Sequence, residues 1–169
     1  GHYDFPFLSH PTQWNGSVYL SGRKNETIWI GSDDNGIYGF NTLSKQFIRI
    51  RSQRSCRNAF HHINGSNQVN GFFMVLEDHQ GNLWTINDNN EIVYYDQGKR
   101  DFYYLPLPEN KVCFLDLPPY IFEDKNQKIW LCTATGIIAV DTKKRIFYNY
   151  QNDPQDSRSV SGNFICSIY

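Results

Sequence analysis

Three features of the sequence predict an all-β fold. The apolar stretches are short and rich in Ile, Val, Phe, Tyr and Trp, the side chains that fit a pleated, half-buried surface. Gly, Asn, Asp or Lys bounds nearly every one of them, so turn signals recur too often for a helical apolar stripe to develop. The pattern also repeats. Trp29, Trp84 and Trp130 are each preceded by Ile or Leu (Ile28, Leu83, Ile129). Each is followed in the same order by Ile (Ile37, Ile92, Ile137), an apolar residue (Phe40, Tyr95, Val140), Asn or Asp (Asn41, Asp96, Asp141) and Phe (Phe47, Phe102, Phe147).

The elements follow in chain order. Tyr3–Phe7 reads as one strand. The first unit then divides into Ser17–Ser21, Thr27–Ser32, Gly36–Asn41 and Gln46–Ile50. The second divides into Phe72–Glu77, Leu83–Asn87, Glu91–Asp96 and Asp101–Leu105, and the third into Tyr120–Glu123, Lys128–Thr133, Gly136–Asp141 and Arg145–Tyr150. Ser159–Tyr169 reads as the lead-in to a further strand. Four short strands joined by tight turns, repeated at some 45 residues, are the signature of a β-propeller blade. The expected architecture is therefore a β-propeller fragment of about three four-stranded antiparallel blades. The blades span 17–50, 71–105 and 112–150, with one strand of each flanking blade at 3–7 and 164–169, so that 1–169 is a partial propeller domain. Propellers close with about four to eight blades, so the expected ring is larger than this segment. In this scheme Trp29, Trp84 and Trp130 fill the space between blades. Asp96 and Asp141 cap the following turn through bonds to backbone N–H groups, and Asn41 does the same in the first unit.

Composition bounds the function. The 169 residues suit one domain or a piece of one, and 40% apolar with 16% aromatic residues supplies a core. A net charge of −1 gives no footprint for nucleic acid or an anionic membrane. No apolar run approaches the roughly 18 residues of a membrane span, and no export leader opens the segment, so any such signal is expected outside it. None of Cys56, Cys113, Cys132 and Cys166 forms a C-x-x-C pair, which argues against a zinc or redox motif. Cys113, Cys132 and Cys166 sit in apolar runs and read as buried thiols, with a disulfide as the alternative. Cys56 lies in a polar loop and reads as the most reactive.

No catalytic constellation is evident. Glu77-Asp78 and Glu123-Asp124 are paired carboxylates, but they recur at one position of the unit. That argues for turn or backbone capping rather than acid–base chemistry, which needs a unique cleft pair. His61-His62 is the only histidine doublet. Adjacent residues of a strand face opposite ways and no Asp, Glu or Cys lies within three positions, so neither a metal nor another cofactor is expected. No Gly-x-Ser-x-Gly elbow occurs.

The linker from Arg51 to Asn70 stands apart because it is far longer than the usual connection. From Asn35 to Leu76 the chain has no Asp or Glu, while Lys45, Arg49, Arg51, Arg54 and Arg57 are all basic. Long loops on a rigid scaffold tend to carry binding residues, and Arg forks match carboxylate or sulfate. Arg51, Arg54, Arg57, His61 and His62 are therefore the candidate ligand-binding residues, with Trp14 as a candidate for sugar stacking. The alternative is a solvated insertion or a contact with a neighbouring domain.

In its fullest form the unit runs Val75-Leu-Glu-Asp-His-Gln-Gly-Asn-Leu-Trp to Tyr95-Asp96. It resembles the two-component regulator propeller repeat, whose pattern is apolar-x-Glu-Asp, Gly-Asn-Leu-Trp, Gly-Leu and Tyr-Asp. Ile121-Phe-Glu-Asp, Ile129-Trp, Gly136-Ile and Val140-Asp141 fit the same pattern, as does Ser159-Val-Ser-Gly-Asn at the next lead-in. The first unit departs from it, with Gly22-Arg23 for Glu-Asp and Glu26-Thr27 for Gly-Asn, and the third has Gln127-Lys128 at the latter position. The resemblance implies the periplasmic sensor part of a Bacteroides-type hybrid two-component regulator anchored in the inner membrane. There, propellers precede a β-sandwich domain, a membrane helix, a histidine kinase and a response regulator. It further implies a non-enzymatic segment that contributes to oligosaccharide recognition, the sugar being acidic if the Arg loop meets it, within a homodimeric receptor. Two alternatives are a purely structural scaffold for domain and dimer contacts, and a propeller lyase or glycosidase.

Overall fold

A computed structural model describes residues 26–32, 36–50, 72–87, 91–105, 120–133, 135–144 and 146–165. The described residues contain eleven strands and no helix. The first sheet holds β1 (Thr27–Ser32), β2 (Gly36–Asn41) and β3 (Phe47–Ile50). The second holds β4 (Phe72–Glu77), β5 (Leu83–Asn87), β6 (Ile92–Asp96) and β7 (Asp101–Leu105). The third holds β8 (Ile121–Glu123), β9 (Lys128–Thr133), β10 (Gly136–Asp141) and β11 (Ile146–Tyr150). Each is an antiparallel meander in chain order. The strands expected at 3–7 and 17–21 lie outside the described residues, as does 112–119. At the other end, Phe164 and Ile165 begin the stretch expected as a flanking strand but are not in a strand. The Asn163 side chain instead accepts the Asn152 N–H at 2.6 Å, folding 152–163 back as a closed loop. Residues 166–169 lie outside the described set.

Register makes the repeat physical. Trp29 faces Gly39 across the hairpin, Trp84 faces Tyr94 and Trp130 faces Ala139. The β9–β10 connection is two residues against three between β1 and β2, so the third unit is in step with the first only after a one-residue gap in that loop.

Alternation along each strand sends successive side chains to opposite faces, and the second sheet buries both. On one face Leu76, Trp84, Ile86 and Ile92 meet Ile121, Ile129, Leu131, Ile138 and Val140 of the third sheet. On the other, Val75, Leu83, Val93, Tyr95 and Phe102 meet Trp29 and Ile37 of the first. Each aliphatic side chain taken fully from water stabilises by about 1.5–3 kcal/mol, so the stacking of sheets, not any one hairpin, holds the structure. The far face of the third sheet has no such cover among the described residues. There Trp130 stacks on Tyr150 with ring centroids 5.8 Å apart, and Tyr150 is 41% exposed.

The paired carboxylates divide two tasks. Asp78 Oδ1 accepts the Gln80 and Asn82 N–H groups at 2.9 and 2.8 Å, and its Oδ2 accepts the Trp84 indole N–H at 2.9 Å. Asp124 repeats this with Asn126, Lys128 and the Trp130 indole at 2.8, 3.0 and 2.9 Å. The capping role expected of the pair thus falls to the aspartate, which also fixes the tryptophan. The glutamate reaches to the preceding sheet: Glu77 accepts the Trp29 indole N–H at 3.1 Å, and Glu123 takes the His79 backbone N–H at 2.9 Å and pairs with its ring Nδ1. Both glutamates are nearly fully buried.

The turn these aspartates cap needs a left-handed residue. Gly81 supplies it with φ +93°, but Gln127 and Glu26 occupy the matching positions at +68° and +53°. A side chain there is strained by about 1–3 kcal/mol, partly offset by the greater freedom that glycine loses on folding. Two outcomes are expected in denaturant unfolding. Gln127→Gly raises stability by about 1 kcal/mol, since it relieves the left-handed strain and keeps every backbone bond of the turn. Glu123→Ala lowers it by about 2 kcal/mol, since a buried charge-assisted bond between sheets is lost; an unchanged midpoint would show that the glutamate bridge adds nothing to stability.

Candidate functional site

The sequence-predicted ligand residues Arg51, Arg54, Arg57, His61, His62 and Trp14 lie outside the described residues. The repeat residues are all described. Asp96 Oδ1 accepts the Lys99 N–H at 2.9 Å, and its Oδ2 lies 3.1 Å from the Lys99 ammonium. Asp141 accepts the Lys143 and Lys144 N–H groups at 3.2 and 3.0 Å. Asn41 accepts those of Leu43 and Ser44 at 3.0 and 2.8 Å. An amide oxygen thus does in the first sheet what a carboxylate does in the others, because the turn needs only an acceptor.

The carboxylates titrate below their ordinary range. Burial pushes Asp96 up, but the Lys99 N–H, its ammonium and the Gly98 N–H outweigh that. Asp124 is likewise raised by burial and then held down further by the Lys128 N–H and the Trp130 indole. Asp141 is held down by the Lys144 N–H first, against a smaller burial effect. Burial chiefly pushes the Tyr95 phenol up, away from the range in which it would act as a base near neutrality.

A cleft of about 250 Å³ opens where the second and third sheets meet. Trp84, Tyr94, Tyr103, Leu105 and Val140 supply its aromatic and apolar lining; Asp78, Gln80, Asp96, Lys99, Thr142 and Lys143 supply its polar groups. Hairpin register sets Trp84, Tyr94 and Tyr103 side by side on one face. Tyr94 lies 4.7 Å from the Trp84 ring and 5.8 Å from the Tyr103 ring, each tilted. The Lys99 ammonium sits 5.6 Å from the Tyr103 centroid. The Thr142 hydroxyl donates to the Gln127 carbonyl at 3.3 Å. Such a lining offers aromatic faces for stacking and polar groups for hydrogen bonding. Among the described residues no group of three His, Cys, Asp or Glu could hold a metal.

Sequence reasoning passed over Tyr94, Tyr103, Lys99, Thr142 and Lys143. A signal was available at the position facing the tryptophan, where Gly39 and Ala139 stand in the other two units. Gly39 permits close approach there: a Cβ would fall 2.7 Å from the Trp29 ring.

Comparison with known proteins yields no matching family model and no matching curated protein. Among solved structures the chain is similar to the extracellular domain of the hybrid two-component system BT4673 from B. thetaiotaomicron, at 14% identity and TM-score 0.38, over 83% of this chain and 23% of that one. A second structure of the BT4673 extracellular domain, described as a one-component system, matches at 15% and 0.39 over 83% and 23%. The extracellular domain of the hybrid two-component system BT3049 from the same organism matches at 19% and 0.32 over 79% and 22%. This chain therefore spans under a quarter of the length of each.

The lowered aspartates set an acid dependence. Each has a folded pKa below its ordinary value of 3.8. Their contribution is complete above that value and is lost as pH falls through it toward the folded values. Asp96→Ala is expected to cost about 1 kcal/mol at neutral pH. Asp96→Asn keeps the turn, as Asn41 does, and flattens the loss of thermal midpoint between pH 5 and about pH 3; an Asn variant as acid-sensitive as the parent would show that Asp96 has no part in the acid dependence.

Proposed function

We propose that the chain is a non-enzymatic part of the periplasmic sensor domain of a hybrid two-component regulator. In this reading the three sheets are successive blades of a β-propeller. The observation that carries it is the motif itself: each residue of the Glu-Asp, Trp and Tyr-Asp pattern in the second unit has a hydrogen-bonding or packing task, and the third unit repeats the tasks of both aspartates and the tryptophan, with Glu123 bonded to His79 and Val140 in place of the tyrosine. That supports a true repeat, and the repeat resembles the two-component regulator propeller. The open aromatic face of the third sheet supports further blades: Trp130, Ile137, Tyr148 and Tyr150 stand in register where Trp84, Ile92, Tyr103 and Leu105 meet the third sheet.

In the whole receptor this segment contributes to recognition of a glycan-derived oligosaccharide, and a histidine kinase elsewhere in the parent chain answers. The remaining blades, a β-sandwich domain and a second receptor copy are its partners. Signalling follows from differential affinity: the sugar binds one arrangement of the dimer more tightly and shifts the population toward it.

Calorimetry of the whole sensor domain against a panel of oligosaccharides tests the reading. Binding of one of them, reduced about tenfold or more by Arg54→Ala with Arg57→Ala, is the expected result. Affinity that ignores both changes would point to a scaffold role for these blades. Depolymerised products from any polysaccharide would replace the sensor with a propeller enzyme.

A further inference from the structure

We infer that the cleft between the second and third sheets is a binding subsite for a single pyranose ring carrying an anionic group, a uronate carboxylate or a sulfate. The inference deepens the sensor reading and rests on it for the class of ligand. Architecture does not require what lines this cleft. The position facing the tryptophan is Gly39 in the first unit, Tyr94 in the second and Ala139 in the third. The next strand brings Ile48, Tyr103 and Tyr148 to the corresponding place. At the second residue after the turn-capping side chain stand Leu43, Gly98 and Lys143. Glycine, alanine or an aliphatic residue therefore serves the fold at these positions. Where the second and third sheets meet, a tyrosine at each of the first two positions and a lysine at the last line one space.

The chemistry of that space selects the ligand. Trp84, Tyr94 and Tyr103 form a row of tilted rings along the wall, with Tyr94 between the other two. Aromatic faces carry negative charge and attract the weakly positive C–H face of a pyranose. Thr142 and Gln80 also line the cleft and offer polar groups to ring hydroxyls. Of the two lysines, Lys99 is held by Asp96 and by the Tyr103 ring. Lys144 pairs with Asp141 at 3.8 Å, whereas the Lys143 ammonium pairs with no carboxylate among the described residues. An anionic substituent on the ring would meet that ammonium in a charge-assisted bond. A volume of about 250 Å³ lies just below the range of about 300–1,000 Å³ that holds drug-sized ligands, which limits the occupant to one ring.

Saturation-transfer NMR on the full protein, with methyl β-glucuronide and methyl β-glucoside as probes, tests the assignment. The glucuronide is expected to bind more tightly than the glucoside. Lys143→Ala keeps the backbone N–H that Asp141 accepts, and it should weaken the glucuronide about tenfold while leaving the glucoside unchanged. Tyr94→Ala should remove both signals, with circular dichroism confirming the fold. Glucuronide binding that ignores Lys143→Ala, or saturation transfer that persists in folded Tyr94→Ala, overturns the cleft as the site. If the protein then still binds a longer oligosaccharide, the sensor reading stands without this subsite; if no saccharide of any size binds, both fall.

Discussion

The bond from a buried glutamate to the preceding sheet is what the rest of the structure depends on. A single antiparallel sheet of four short strands cannot stand alone in water, because one face at least must be covered. Apolar contact supplies the driving force but does not fix how the sheets sit on each other, since it is non-directional. Glu77 and Glu123 supply the direction. Each leaves the first strand of its own sheet and accepts hydrogen bonds from the unit before it, at Trp29 and His79. A carboxylate buried this deeply would be costly without partners, so the bond is made in full or the sheets shift. The pair thus converts a slippery apolar interface into one of defined register.

The aspartate beside it acts locally. By accepting two backbone N–H groups and one indole N–H, Asp78 and Asp124 each tie the β-turn to the tryptophan of the strand that follows it. The first sheet lacks the motif and compensates. Gly22-Arg23 replaces Glu-Asp, and the Trp29 indole turns outward to Glu77 of the next sheet. Its ring also settles against Gly39, where no Cβ stands in the way. The departure from the repeat is matched by a change of partner.

Much of this was legible in the sequence because turn chemistry and strand alternation are local. The strand limits at Thr27–Ser32, Gly36–Asn41, Leu83–Asn87 and Gly136–Asp141 could be read off Gly, Asn and Asp with the β-branched and aromatic runs between them. The exchange of Asn41 for aspartate could be read too, because one acceptor satisfies the same turn. The bridging glutamate was not legible as such. Its partner is 48 residues away for Glu77 and 44 for Glu123, and only stacking of sheets brings them together. The cleft was missed for the same reason: Tyr94 and Lys143 belong to different units, and no spacing within either predicts that they share a space.

Repetition and divergence therefore carry different information here. A residue that recurs between units answers a demand those units share, and the hydrogen bonds account for Glu and Asp of the second and third units, for Trp and for the turn-closing Asn or Asp in those terms. Such a residue can hardly select one ligand, because its surroundings are reproduced from unit to unit. Selectivity needs an asymmetry. In this chain that asymmetry appears at Tyr94 and Lys143 within the sheets, and in the basic run of Arg51, Arg54 and Arg57 between the first and second units. Both break the pattern by adding cationic groups, and the cleft adds aromatic faces as well. Neither is needed for the strands to pair, since the other units pair without them. A repeat scaffold leaves such positions free to vary, and those are where selectivity for one ligand over another can be built without disturbing the stacking that holds the sheets.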